Sequence, residues 1–289
     1  MLPPDVASAI ELHLDASVVR TQAVGGGCIS HATRVDTDRC SVFVKWSRKE
    51  AAATFPAEAA GLRALRDADG GLIVPEPLVA RGGSDASCGF LVLEWIETGE
   101  RAAEYWETLG AGLAALHRRT ASQYGFEQDN FIGRLPQNND WSASWPDFFR
   151  SRRLEVQVRR AREGGHWNES WNGPMDRLMN RLDELLPASP PPSMLHGDLW
   201  SGNIMVTDRG APALIDPAAY YGHREADLAM SELFGGFSST FFQAYREAWP
   251  LESGYYERRQ VYNLYHLINH LNHFGSGYAG SVARVLEGF

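Results

Sequence analysis

Apolar residues along the first hundred positions fall mostly in short strand-like runs, and beyond residue 97 they recur at helical spacing. Residues 17–23, rich in Val and Thr, predict a first strand, and 32–35 a second. A third, 41–45, follows the polar turn Asp36-Thr37-Asp38-Arg39. Phe55, Ala59, Leu62 and Leu65 share one helical face and predict a helix over about 55–66, closed by Asp69-Gly70-Gly71. Val74-Pro75-Glu76-Pro77 is forced into extended backbone, because residues before proline avoid the α region. Two further strands, 78–81 and 90–96, flank the loop Gly82-Gly83-Ser84.

After Glu97-Thr98-Gly99 the pattern becomes helical, beginning with Trp106, Leu109, Leu113 and Leu116 on one face of a helix over 102–119. Further helices are expected at 145–162, 174–186, 227–233, 241–249 and 255–273, and the run Pro187 to Pro192 is a stiff extended connector. The expected fold is α+β and bilobal. A small antiparallel-sheet lobe with one main helix covers residues 1–97, and a larger, mainly helical lobe covers 98–289.

Composition narrows the class without naming a chemistry. The chain has 289 residues, 44% hydrophobic and 22% charged, which is ordinary for a globular protein and too apolar for a disordered one. A net charge of −9 argues against coating nucleic acid. No apolar run has the length of a membrane span, and the start of the chain lacks the basic and apolar stretches of a signal peptide. The three unclustered cysteines, Cys28, Cys40 and Cys88, do not make a disulfide framework. A cytoplasmic protein with no obligate protein partner is expected.

The chemistry concentrates in Leu195-His196-Gly197-Asp198-Leu199-Trp200-Ser201-Gly202-Asn203, followed by Ile204-Met205-Val206, a polar turn and Ala213-Leu214-Ile215-Asp216. A hairpin centred between Arg209 and Gly210 pairs Ile204 with Ile215 and sets Asn203 opposite Asp216, at about 4.5–5.5 Å between Cα atoms. An amide oxygen and a carboxylate so placed suit Mg²⁺, while Asp198 faces the same place from the preceding loop. An acid, an Asn five residues on and a second Asp is a phosphotransferase arrangement, with one carboxylate taking the acceptor's proton and the other two groups holding metal. The bland alternative is a His-Gly-Asp turn and a strand-capping pair. Lys45 at the end of a strand and Glu58 on the next helix weigh against it, being the strand-lysine and helix-glutamate pair that positions ATP. Gly25-Gly26-Gly27-Cys28 between the first two strands suits a lid over phosphates, and Glu94, by position, presents backbone groups to adenine.

These residues resemble the fructosamine kinase (ketosamine-3-kinase) family, within the protein-kinase-like fold shared by aminoglycoside and choline phosphotransferases. The resemblance runs from Gly25-Gly26-Gly27-Cys28-Ile29-Ser30 and Phe43-Val44-Lys45 through Asp129-Asn130-Phe131-Ile132-Gly133 and Trp145-Pro146-Asp147-Phe148-Phe149. It continues through the Asp198 segment and Ile215-Asp216-Pro217-Ala218 to Asn269-His270-Leu271-Asn272-His273-Phe274. Trp200 stands where aminoglycoside-type relatives usually carry His, and Pro217 where protein kinases have Phe. The resemblance implies ATP-dependent phosphorylation of the sugar 3-hydroxyl of a ketoamine, on a small molecule or a glycated protein lysine. The phosphorylated adduct then decomposes and frees the amine. It also implies Asp198 as base, Asn203 and Asp216 on Mg²⁺, and Lys45 with Glu58 on ATP.

Trp200 is a candidate floor for the sugar or a cation–π partner for the ketoamine nitrogen, against the alternative of a core tryptophan. His266, His270 and His273 share a helical face without an acidic or Cys ligand for zinc, so the preferred readings are a face lining the substrate cleft, with His270 and His273, or a partly buried polar face. Trp141 and Trp145 are expected to be packing residues, and Asp227 to accept backbone hydrogen bonds from the Asp198 loop, the simpler alternative being an exposed carboxylate at a helix start. Cys28, on a glycine loop, is a candidate redox thiol, against the equal alternative of an unreactive small residue. Two other functions stay open: a kinase of the same fold for an aminoglycoside, choline-like alcohol or other metabolite, and a nucleotide-binding pseudoenzyme.

Overall fold

The computed structural model describes residues 2–25, 31–48, 53–83 and 87–289. The N-terminal part is built from α1 (Pro4–Leu14), β1 (Val18–Ala23), β2 (His31–Thr37), β3 (Ser41–Ser47), α2 (Thr54–Asp67), β4 (Pro77–Arg81) and β5 (Gly89–Glu94). The strands form one antiparallel sheet in the order β1-β2-β3-β5-β4.

Strand alternation divides this sheet between two cores. Val42, Val44, Phe90 and Val92 point to one face and pack with Val35 against Val6 and Ile10 of α1. Leu91 and Leu93 point to the other face and join the main core with Phe55, Leu62 and Leu65 of α2. Lys45 lies opposite Leu91 in the β3–β5 register, so it shares that second face. Helix α1 has no counterpart among the sequence expectations, since it buries only Val6 and Ile10. The sheet nevertheless needs it: a strand that is apolar on both alternating faces must be covered on both.

The chain then runs through α3 (Tyr105–His117), the hairpin β6 (Asn130–Ile132) and β7 (Leu135–Gln137), α4 (Trp145–Phe148) and α5 (Glu155–Glu163). A π-helical turn over Phe149–Leu154 joins α4 to α5, so the expected helix over 145–162 is one helical path with a widened middle. Next come α6 (Asn172–Asn180), α7 (Leu182–Leu185), β8 (Ser193–Leu195), β9 (Ile204–Val206), β10 (Pro212–Leu214) and β11 (Tyr220–Gly222). The last helices are α8 (Glu225–Leu233), α9 (Ser239–Ala248), α10 (Tyr255–Phe274) and α11 (Ala279–Leu286). Helix α10 is the axis of this half, burying twelve of its residues. Trp145 is fully buried, as expected of a packing residue. Trp141 is not, at 42% exposed, with its ring against Tyr221. Among the described residues no helix is long and apolar enough to cross a membrane.

Candidate active site

The hairpin that carries two of the candidate residues differs from the sequence expectation by one position. Leu214 pairs with Ile204, and the Ile215 N–H donates to the Asn203 carbonyl at 3.0 Å, so Asn203 faces Ile215 rather than Asp216. The cause is the turn. Thr207 closes on Ala211, leaving the three-residue loop Asp208-Arg209-Gly210, in which Gly210 takes φ +75°. One residue of slip would turn Asp216 to the opposite face. The backbone avoids this by going left-handed at Asp216 itself, with φ +55°, which breaks the strand alternation. The Asp216 carboxylate then meets the Lys45 ammonium at 2.5 Å.

Lys45 also pairs with Glu58 of α2 at 2.8 Å, so one ammonium joins the sheet, α2 and the segment after β10. Burial alone would lower the Lys45 pKa, but the two carboxylates outweigh it and hold the pKa above its usual value.

Asp198 sits on the loop between β8 and β9, and the Asn203 amide reaches back to it. Nδ2 donates to the Asp198 carbonyl at 2.9 Å and to its carboxylate at 3.0 Å, which leaves Oδ1 as the side chain's acceptor. Burial pushes the Asp198 carboxyl up to about 7; the Asn203 bond opposes the shift, and the charges of Asp216 and Asp227 add to it. A base in that range is half ionised near neutrality and suited to accept a proton there. If Asp198 is the base, kcat/KM falls tenfold per pH unit below about 7, because only the ionised form of the free protein reacts. A profile flat between pH 5 and 8 would exclude that role.

The loop is braced from beneath. Asp227 of α8 accepts the N–H of His196 at 2.7 Å and of Gly197 at 2.9 Å, as the sequence suggested. His117 is neutral, because burial lowers its pKa; its Nε2 faces Asp227 at 3.2 Å and its Nδ1 the Tyr245 hydroxyl at 2.8 Å. A carboxylate only accepts, so the proton sits on Nε2 and Tyr245 donates to Nδ1. His196 ties the two reactive segments together. Its Nε2–H donates to the Ile215 carbonyl at 2.9 Å and its Nδ1 accepts the Asp198 N–H at 3.3 Å. Gly197 has φ +80°, and a Cβ there would lie 2.1 Å from the Ala218 carbonyl oxygen, so only glycine fits.

A second brace had no counterpart among the sequence expectations. Asn130 donates to the Ala219 carbonyl at 2.8 Å, and Gln137 donates to Asn130 at 2.8 Å and to the Ala218 carbonyl at 3.3 Å. Tyr265 of α10 donates to Gln137 at 2.5 Å, and Arg153 reaches Asn139, which in turn donates to Asn130. These buried amides clamp the residues that follow Asp216. The available signal was the density of Asn and Gln around the Phe131–Pro136 turn, since buried amides persist only when bonded.

Other expected residues sit as follows. The Glu94 N–H already donates to the Glu76 carbonyl at 2.9 Å and its carboxylate accepts from Glu76 N at 3.2 Å, so that N–H is not open to a base. Trp200 is 40% exposed, and a Cβ on Gly202 would lie 2.2 Å from its indole, so the ring lies over Gly202 and is no core tryptophan. His273 commits both ring nitrogens, Nδ1 to the Asn269 carbonyl at 2.9 Å and Nε2 to the Arg134 N–H at 3.1 Å, which leaves none for a substrate. His270 commits only Nδ1, to the His266 carbonyl at 2.8 Å. Gly25 is exposed; Gly26, Gly27 and Cys28 lie outside the described residues. Among the described residues no group of three His, Cys, Asp or Glu side chains is placed to hold a metal. Mg²⁺ does not need such a group: it takes one or two protein oxygens and completes its shell with phosphate and water. The Asn203 Oδ1 and the 44%-exposed Asp216 carboxylate fit that requirement.

Similarity to known proteins extends over nearly the whole chain. The fructosamine kinase family pattern matches residues 4–289. A probable ketoamine kinase of Synechocystis sp. is 41% identical over 92% of this chain and 88% of its own length. The protein-ribulosamine 3-kinase, chloroplastic, of Arabidopsis thaliana is 38% identical over 94% of this chain and 83% of its own. A crystal structure assigned as a fructosamine-3-kinase from Thermobifida fusca superposes with a TM-score of 0.87 at 31% identity, covering 98% of this chain and 97% of that one. At 16% identity, an aminoglycoside phosphotransferase in complex with ADP and hygromycin B still gives a TM-score of 0.66 over 98% of this chain and 96% of that one, and so shares the protein-kinase-like fold.

Proposed function

The chain belongs to the fructosamine kinase family, and from that membership we propose that it transfers the γ-phosphoryl group of ATP to the sugar 3-hydroxyl of ketosamines. The observation that carries this reading is the single ammonium of Lys45 held by both Glu58 and Asp216. It joins the two halves of a phosphotransfer site that are 171 residues apart in sequence.

In this reading residues 1–97 bind the nucleotide, and 98–289 supply the acceptor site. Lys45 contacts the phosphates. Asp198 takes the proton of the 3-hydroxyl as its oxygen forms the new bond to phosphorus and ADP leaves. The Asn203 Nδ2 bond aims that carboxylate, and Asn203 Oδ1 with Asp216 would hold Mg²⁺, which supplies neutralisation of phosphate charge. Most of the acceleration comes from alignment and charge compensation rather than from covalent chemistry with the protein. Trp200 and the open Nε2 of His270 face the sugar and its amine. His273 instead positions the β6–β7 turn through Arg134.

The test is ATP consumption by the purified protein with Mg²⁺ against lysine adducts of fructose, ribulose and erythrulose, with phosphorus NMR to locate the ester. Turnover that requires a ketoamine and an ester at the 3-position are expected. Turnover with an aminoglycoside or choline in place of ketoamines would move the function to another acceptor. ATP binding without turnover on any acceptor would leave a pseudoenzyme.

A further inference from the structure

Asp216 carries its carboxylate toward Lys45 from a backbone conformation that most residues avoid. Its φ is +55°, and Pro217 follows it, which restricts its backbone further. Such a conformation persists only where the surrounding structure over-determines it. Here the hold comes from the residues just after the proline. The Ala218 N–H donates to the His196 carbonyl at 2.9 Å, and the Ala218 and Ala219 carbonyls accept from Gln137 and Asn130, at 3.3 and 2.8 Å. Helix α2 covers the other flank: a Cβ on Gly61 would lie 3.4 Å from the Pro217 and Ala219 side chains.

Gln137, 2% exposed, stands at the centre of this hold. Its Oε1 accepts the Tyr265 hydroxyl at 2.5 Å, so its Nε2 is turned to two acceptors, Asn130 Oδ1 at 2.8 Å and the Ala218 carbonyl. Asn130 Oδ1 is free to accept because its own amide nitrogen is committed to Ala219, and Asn139 Nδ2 donates to the same oxygen at 2.9 Å. The Arg153 guanidinium fixes Asn139 in turn, at 2.8 Å. A carboxylate at position 137 brings no hydrogen to either acceptor, and an apolar side chain serves none of the three partners. Left unbonded, these buried groups are costly, so the amide orientations and the place of residues 218 and 219 fix one another.

We propose that Gln137 is a positioning residue for phosphoryl transfer: by holding the Ala218 carbonyl it fixes the turn at Asp216, and so decides whether that carboxylate shares a cation with Asn203. It acts through the backbone and touches neither nucleotide nor acceptor. This rests on the ketosamine-kinase reading above and adds to it a residue that governs the metal side of the site.

The experiment measures ATP binding by calorimetry with and without Mg²⁺, together with kcat and KM for a ketoamine, in the unmodified protein, Gln137→Met and Tyr265→Phe. The first variant removes the donor to Ala218 at similar volume, and the second removes only the bond that orients the amide. Thermal unfolding reports whether each folds. In Gln137→Met, kcat and the gain in ATP affinity that Mg²⁺ brings are both expected to fall by about tenfold or more, the usual cost of losing a group that orients a metal ligand. ATP affinity without Mg²⁺ and KM for the ketoamine stay as they were. Tyr265→Phe gives a smaller loss of the same kind. A Mg²⁺ gain equal to that of the unmodified protein in Gln137→Met, or in Tyr265→Phe where Gln137→Met does not fold, overturns the positioning role whatever happens to kcat, and leaves the kinase reading standing. Phosphorylation of no ketoamine by the unmodified protein removes both.

Discussion

Asp198→Asn lowers turnover by about 10²–10⁴-fold while leaving ATP affinity nearly unchanged, the loss typical of a removed general base. The substitution keeps the shape of the side chain and an oxygen for Asn203 Nδ2, which now donates to the carboxylate at 3.0 Å. The same variant gains stability at high pH. The folded-state pKa of Asp198, about 7, is raised above the ordinary 3.8, so the folded chain holds its proton more tightly than the unfolded one. Stability of the unmodified protein therefore falls as pH rises through this window, between about 4 and 7, and the asparagine variant is spared that fall. The gain is absent below pH 4, complete above 7, and bounded by about 4 kcal/mol, from three pKa units at 1.36 kcal/mol each. Turnover assays and denaturant titrations at pH 4.5 and 8 measure the two effects on one preparation. Unaltered turnover removes Asp198 from the mechanism, and a stability difference independent of pH contradicts its raised pKa.

Arg258→Met destabilises the protein by about 3–5 kcal/mol, the cost of leaving a buried carboxylate alone. Glu225 is fully buried, and Arg258 of α10 grips both its oxygens, at 2.7 and 2.8 Å. Glu225 begins α8, two residues before Asp227, whose carboxylate holds the His196 and Gly197 amides. The ion pair therefore fixes the helix that carries the brace of the Asp198 loop, and kcat should fall with stability. Replacing both partners, Glu225→Leu with Arg258→Met, recovers most of the stability, because no unpaired charge remains. A cost under about 1 kcal/mol for the single change would assign the pair the weight of an exposed salt bridge.

Elements with a strong period were legible from the chain. Strands β2 and β3 and helices α2, α3 and α10 follow from spacing because each buries a defined face, and Tyr255–Phe274 departs from its expected span by one residue. Helix α1 and the β6–β7 hairpin were not legible. The first offers two buried residues, and the second is two three-residue strands stabilised by buried amides rather than by an apolar pattern. The register of β9 and β10 failed for a narrower reason: residues 207–211 fit a two-residue or a three-residue turn, and Gly210 at φ +75° selects the latter only once the strands have paired.

For the site, the chain alone determined which groups are present: Lys45, Glu58, Asp198, Asn203 and Asp216, whose types and spacings suit little besides phosphoryl transfer. Their meeting was decided by the tertiary structure. Lys45 reaches Asp216 only because the sheet closes over the C-terminal half and because the backbone at Asp216 turns left-handed. Asp198 acquires its raised pKa from burial in the folded chain, with the charges of Asp216 and Asp227 adding to it. Spacing along a chain constrains neighbours a few residues apart, whereas solvation and contacts across 171 residues belong to the packed molecule.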